Sequence, residues 1–141
     1  LALPSGRSEM AAAITGGCLC GACRYATDTA PINIRACHCR LCQKATGAPL
    51  YARVLVLLDA VRIEGPVGWH HSSAALRRGF CTACGTTLFS ERASANVIGL
   101  AIGSLDEPER YPPTEHIWTS SGLSWLTSAD DLPHYPEGPP A

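Results

Sequence analysis

Eight cysteines carry the chemistry this sequence offers, and their spacing sorts them into three groups. These are Cys18, Cys20 and Cys23 in "CLCGAC", Cys37, Cys39 and Cys42 in "CHCRLC", and Cys81 and Cys84 in "FCTACGTTLF". A disulfide needs Cα atoms roughly 4.4–6.8 Å apart with suitably aimed side chains. C-x-C-x-x-C packing serves that poorly, but thiolates at such spacing converge readily on one metal ion. The C-x-x-C before Gly85 reads as a zinc knuckle, a turn whose backbone amides point at the sulfurs and whose glycine allows the tight geometry. A knuckle supplies two ligands and needs two more. Residues two apart on a strand face one side, so Cys18 and Cys20 can complete a closed site with Cys81 and Cys84. Cys37, Cys39 and Cys42 then hold a second zinc with one position open. In this partition Cys23 is a buried apolar thiol, although a bulge at Gly21 would re-aim it. The rival partition joins Cys23 to Cys37, Cys39 and Cys42 and makes two closed sites without chemistry; spacing alone leaves both standing.

An open three-thiolate zinc carries a net charge of about -1, which weakens it as a Lewis acid. It suits an incoming thiol, whose pKa it lowers and whose sulfur it presents as a nucleophile. The matching reaction is addition of a thiol to a small electrophile such as an aldehyde, or the reverse carbon–sulfur cleavage. A thiol with carboxylates needs cationic partners. Arg40 and Lys44 flank the cluster and Arg53 lies on the next expected strand, so these three are the candidate substrate contacts. His38 is read as a non-ligand pointing away, His70 and His71 as edge-strand residues, and Trp69, Trp118 and Trp125 as core anchors.

These groups need a frame to position them. The 141 residues are 46% hydrophobic and 16% charged, which marks a folded chain of one domain. A formal net charge of -1 predicts no attraction to nucleic acid or to an anionic membrane, and no apolar run is long enough to cross a bilayer as a helix. The opening "LALPSGRSEM" lacks the pattern of a signal peptide, so residues 1–9 are expected to be a leader or an expression scar, with one zinc-binding domain over 10–141. Without a secretory signal the cysteines favour metal over disulfides, and a cytoplasmic setting is expected. Short β-branched and aromatic runs between Pro and Gly predict a mainly β protein. The expected strands are Cys23–Thr27, Tyr51–Leu57, Val61–Glu64, Trp69–Ser72, Arg77–Phe80, Thr87–Glu91, Asn96–Ile102 and His116–Thr119. One short helical turn is expected at Leu41–Ala45, stopped by Gly47 and Pro49. The proline-rich tail from Asp106 is expected to wrap over the domain.

The segments "GGCLCGACRY", "CHCRLCQKATGA", "RGFCTACGTTLF", "GSLDEPE" and "EHIW", followed by Trp125 and "DLP", occur in the order found in one family. The chain resembles the glutathione-dependent formaldehyde-activating enzymes, a family that also contains the centromere protein V-like proteins. The resemblance runs from Gly16 to Pro133. It implies a β-tent of antiparallel sheets, related to zinc ribbons and held by zinc, with two ions per chain. Cys18, Cys20, Cys81 and Cys84 resemble the structural site, and Cys37, Cys39 and Cys42 the catalytic one. The implied activity is reversible formation of S-hydroxymethylglutathione, a carbon–sulfur lyase reaction whose partners are a small-molecule thiol and aldehyde. The alternative is a structural zinc module for a protein partner, without catalysis.

Overall fold

The computed structural model describes residues 14–126 and 130–140. Among them ten strands form two sheets. The smaller sheet is antiparallel, in the order β1 (Ile14–Gly17), β2 (Arg24–Thr27), β5 (Val61–Glu64). The larger sheet contains β3 (Asn33–Cys37), β4 (Tyr51–Leu57), β6 (Val67–His71), β7 (Arg77–Cys81), β8 (Thr87–Arg92), β9 (Val97–Ala101) and β10 (Glu115–Ile117). Its strand order is β10-β3-β4-β9-β8-β7-β6.

The mainly β expectation holds, and Tyr51–Leu57 and Val61–Glu64 appear with the expected bounds. The antiparallel expectation needs correction at one edge. β10 pairs with β3 in parallel, Ile117 opposite Cys37, because the connection after β9 carries the chain back to the start of β3 before β10 begins. The tail then runs along β10, with His116 N–H donating to Pro133 O (2.9 Å) and Tyr135 N–H to His116 O (2.9 Å). The last expected strand stops at Ile117, because Trp118 takes a left-handed conformation (φ 56°) and Thr119 opens a 3-10 turn.

β1 and β3 escape the sequence pattern. β1 is "ITGG", whose glycines argue against a strand, yet Gly16 has a packing reason. A Cβ there would lie 2.3 Å from the Tyr25 hydroxyl oxygen, so only glycine lets β1 pass. Tyr25 is buried and meets Phe89 edge-on at 5.2 Å between ring centroids. Ile14, Val54, Val56, Leu88, Ile98 and Leu100 complete the main core. Trp69 packs against that core and stacks on Phe89, but Trp118 and Trp125 are 40% and 68% exposed and are not core anchors. Both lie in the irregular chain after β10, where no regular strand turns a side chain inward.

The helix α1 (Arg40–Thr46) begins where a cysteine caps it: Cys39 Sγ accepts from Cys42 N–H at 3.2 Å. Gly47, at φ 68°, ends it by donating to Gln43 O at 2.8 Å. Buried Gln43 donates to His38 O (2.7 Å) and Ser121 O (3.0 Å), pinning the cysteine loop to the chain beyond β10.

Candidate metal centres

Cys18 and Cys20 lie in the turn joining β1 to β2, not on a strand as the spacing argument assumed. The turn is a second knuckle. Gly21 N–H donates to Cys18 O (3.1 Å), Cys23 N–H donates to Cys18 Sγ (3.2 Å), and Gly21 sits at φ 82°. The β7–β8 turn repeats the pattern: Gly85 N–H to Cys81 O (2.8 Å), Ala83 N–H to Cys81 Sγ (3.4 Å), and Gly85 at φ 81°. Leu19 N–H donates to Thr86 Oγ1 (3.0 Å) and ties the turns together. The sulfurs of Cys18, Cys20, Cys81 and Cys84 all lie within 4.8 Å of one another. Such a set of four soft donors on two amide-rich turns fits a closed tetrahedral zinc site. Cys23 belongs to neither metal-ligating group among the described residues. It is buried with Cys18 and Cys81 in the main core, and burial pushes its thiol up to about 12.

The second group is built by one strand end and one helix start. Cys37 closes β3 between Tyr51 of β4 and Ile117 of β10, Cys39 caps α1, and Cys42 lies in its first turn. Their sulfurs also lie within 4.8 Å of one another, and no fourth Cys, His or carboxylate joins them among the described residues. Donation from the Cys37 thiol, aided by Cys39 and by Arg78, brings Cys42 down to about 5. Acting as that donor pushes Cys37 up. Within this pair Cys42 is the sulfur whose thiolate form is favoured.

A cavity of about 600 Å³ opens on this group. Arg35, Arg40, Arg53, Arg78 and Arg92 line it, and among the described residues no carboxylate residue does. Arg53 donates to Asn33 Oδ1 at 2.6 Å, Arg40 contacts Gln43, and Arg35 pairs with Glu115. Of the three cations expected from the sequence, Arg40 and Arg53 line the cavity, whereas Lys44 lines the adjoining groove beside Trp125. Arg35, Arg78 and Arg92 were missed. For Arg78 a signal existed: in "RRGFC" the strand period of two sends Arg77 and Arg78 to opposite faces.

His38 is buried on the other side of the loop. Its Nε2 meets His116 Nδ1 at 2.9 Å, and His116 Nε2 meets Asp130 Oδ2 at 2.8 Å. His116, Asp130 and His134 bring their ligand atoms within 4.8 Å, yet the two imidazoles stack at 4.4 Å with 28° between their planes. Lone pairs of stacked rings run alongside each other and do not converge on one ion. This array reads as a hydrogen-bonded buttress behind the Cys37–Cys39 loop. His70 and His71 are exposed at the end of β6 and line neither the cavity nor this array.

A family model for glutathione-dependent formaldehyde-activating enzymes matches residues 13–121, which include all eight cysteines. The chain belongs to that family. A similar curated protein, an uncharacterized lyase of Schizosaccharomyces pombe, is 32% identical over 74 residues, covering 52% of this chain and 54% of that protein. The chain thus spans about half the length of the curated relative it matches. A crystal structure of a Rhodobacter sphaeroides protein has a similar fold, with a TM-score of 0.54 at 17% identity, over 86% of this chain and 98% of the other. Among the described residues, no helix is long and apolar enough to cross a membrane.

Proposed function

We propose that this family member is a zinc-dependent carbon–sulfur lyase. It reversibly adds a thiol, glutathione or a similar one, to a small aldehyde such as formaldehyde. Cys18, Cys20, Cys81 and Cys84 would hold a structural zinc that braces the β-tent frame, and Cys37, Cys39 and Cys42 a catalytic one. The observation that carries the reading is the three-sulfur group facing an arginine-lined cavity, with no fourth protein ligand among the described residues.

Cys37, Cys39 and Cys42 would hold a zinc ion that would supply an open position and lower the pKa of an incoming thiol. The chain's residues do the rest. Arg53, with Arg40 at the mouth, offers guanidinium forks to the carboxylates of the thiol. Lys44, in the adjoining groove, stands outside that contact set. Ile117 and Tyr51 wall the cluster with apolar surface. Tyr51, pushed up to about 12 by burial, stays neutral and is held by Ser90 at 2.9 Å. The reacting partners are small molecules, and neither nucleic acid nor membrane has a role in a cytoplasmic setting.

The test is exchange spectroscopy by NMR on glutathione and formaldehyde with the zinc-loaded protein. Formation of the hydroxymethyl adduct above the spontaneous rate is expected. A protein carrying two zincs that gives only the spontaneous rate with glutathione and with smaller thiols overturns the reading.

A further inference from the structure

We infer that Arg78 is the charge-balancing residue of the Cys37–Cys39–Cys42 centre, the cation that lets an anionic sulfur ligand enter its open position. The inference rests on the proposed function, because it presumes that an incoming thiol occupies that position.

Arg77 and Arg78 are neighbours on β7 with opposite duties. Arg77 pairs with Glu91 and lies over Trp69 at 3.9 Å, on the outer side of the core. Arg78 turns to the cavity. Its Nη2 donates to Cys42 Sγ at 3.7 Å, its Nε donates to Ser72 Oγ at 3.3 Å, and its guanidinium lies 5.9 Å from the Tyr51 ring centroid. Arg35, Arg40 and Arg53 have polar partners of their own on Glu115, Gln43 and Asn33. Among the described residues, Arg78 is the cation in hydrogen-bond contact with a sulfur of this cluster.

Charge accounting gives that contact its meaning. Three cysteine thiolates and one dication sum to -1, and a fourth thiolate takes the total to -2. In a partly buried cavity an uncompensated second charge is costly, because an effective dielectric near 20 leaves unit charges strongly coupled. Arg78 returns the total to -1. Its donation to Cys42 also draws electron density from a ligand sulfur, as groups that hydrogen-bond to metal ligands do. The arginine thereby sets the class of fourth ligand: an anionic sulfur is favoured over a neutral one. Ser72 fixes the guanidinium plane, so the role depends on placement as well as charge.

The test uses full-length protein loaded with Co(II), whose sulfur-to-metal absorption reports the fourth ligand directly. Mercaptoethanol is titrated in as the probe, because it has no carboxylate that other arginines could hold. Imidazole is the neutral comparison. Arg78→Met should keep the wild-type metal content and lose mercaptoethanol affinity by about tenfold to a hundredfold. Imidazole affinity should change less than threefold. Arg78→Lys, which keeps the charge, should recover most of the loss. Arg62→Met, at an exposed position on β5 of the other sheet, should match wild type and controls for net charge. Should Arg78→Met fail to fold, Arg78→Gln is read in its place, since its amide can still reach Ser72. Wild-type protein that takes up no thiol overturns the proposed function and this inference with it. Thiol uptake that is equal in wild type and in the uncharged variant overturns the inference alone. So does a parallel loss of thiol and imidazole affinity, which would mark Arg78 as merely structural.

Discussion

Cys20→Ser and Cys39→Ser remove one sulfur each from the two cysteine groups, and the structure predicts different consequences. The first group joins turns whose members Cys20 and Cys81 are 61 residues apart in sequence. In the chain-entropy model, a cross-link closing a loop of that length removes about 4 kcal/mol of unfolded-state freedom at 25 °C. The second group spans only the six residues from Cys37 to Cys42, for which the same model gives about 2 kcal/mol. Cys20 is exposed, so serine there disturbs no packing and the effect reports the lost metal. For a chain of this size, loss of the long cross-link lowers the melting midpoint by roughly 10–20 °C. Cys39 acts as the cap of α1, and serine is a preferred helix cap, so Cys39→Ser replaces one capping acceptor with another. It should lose one zinc equivalent and all lyase activity, yet lower the melting midpoint by only about 5–10 °C, roughly half the shift for Cys20→Ser. Zinc content by mass spectrometry under native conditions and thermal melts by circular dichroism read both quantities. If Cys20→Ser keeps two zincs and melts with wild type, the four-sulfur group is no staple and the assignment of roles fails.

Three other outcomes follow from the same geometry. Arg24, only 6% exposed, holds Asp106 through two contacts of 3.0 and 2.6 Å, with Thr15 adding a third at 2.7 Å. Asp106→Asn should cost about 2–4 kcal/mol at pH 7, the usual cost of breaking a buried pair discounted for the exposure of the carboxylate. That ion pair holds the Asp106 carboxyl below its ordinary value, so its contribution is present above about pH 4 and fades as pH falls through the folded pKa; urea midpoints of the two proteins should converge there. Gly16→Ala should destabilise by about 1–3 kcal/mol, since its methyl meets Tyr25 Oη and the Ser104 carbonyl, and an equal midpoint would show that β1 can shift. Arg53→Gln should raise KM for a carboxylate-bearing thiol about tenfold or more, whereas Lys44→Gln should leave it within twofold, as steady-state kinetics would show.

The fold was legible wherever a strand obeyed its own pattern. "YARVLVL" is a short apolar run carrying an aromatic residue and two β-branched valines, and β4 occupies those seven residues. It was illegible where a tertiary neighbour overrode propensity. β1 survives two glycines because Tyr25 needs the space that a Cβ would fill, and a single sequence does not reveal which tyrosine crosses which glycine. The direction of β10 was hidden for a similar reason. It depends on where a long connection returns the chain, and local pattern carries no such information.

The site was legible in its donors and hidden in its charges. Spacing brings sulfurs together because a C-x-x-C turn and a helix cap are local structures, fixed within a few residues. The cations around the cavity come instead from β3, α1, β4, β7 and the end of β8, which only the sheet order gathers. Lys44 is closer in sequence to the cluster than Arg78, yet the rise of α1 turns it to another groove, while Arg78 reaches Cys42 from 36 residues away. Cys23 makes the same point in reverse. It shares the first C-x-C-x-x-C spacing, but the Gly21 turn sends its backbone amide to Cys18 and its thiol into the core. Whether Cys23 joins the second cluster is therefore decided by the conformation of a turn at Gly21, well upstream of Cys37, Cys39 and Cys42.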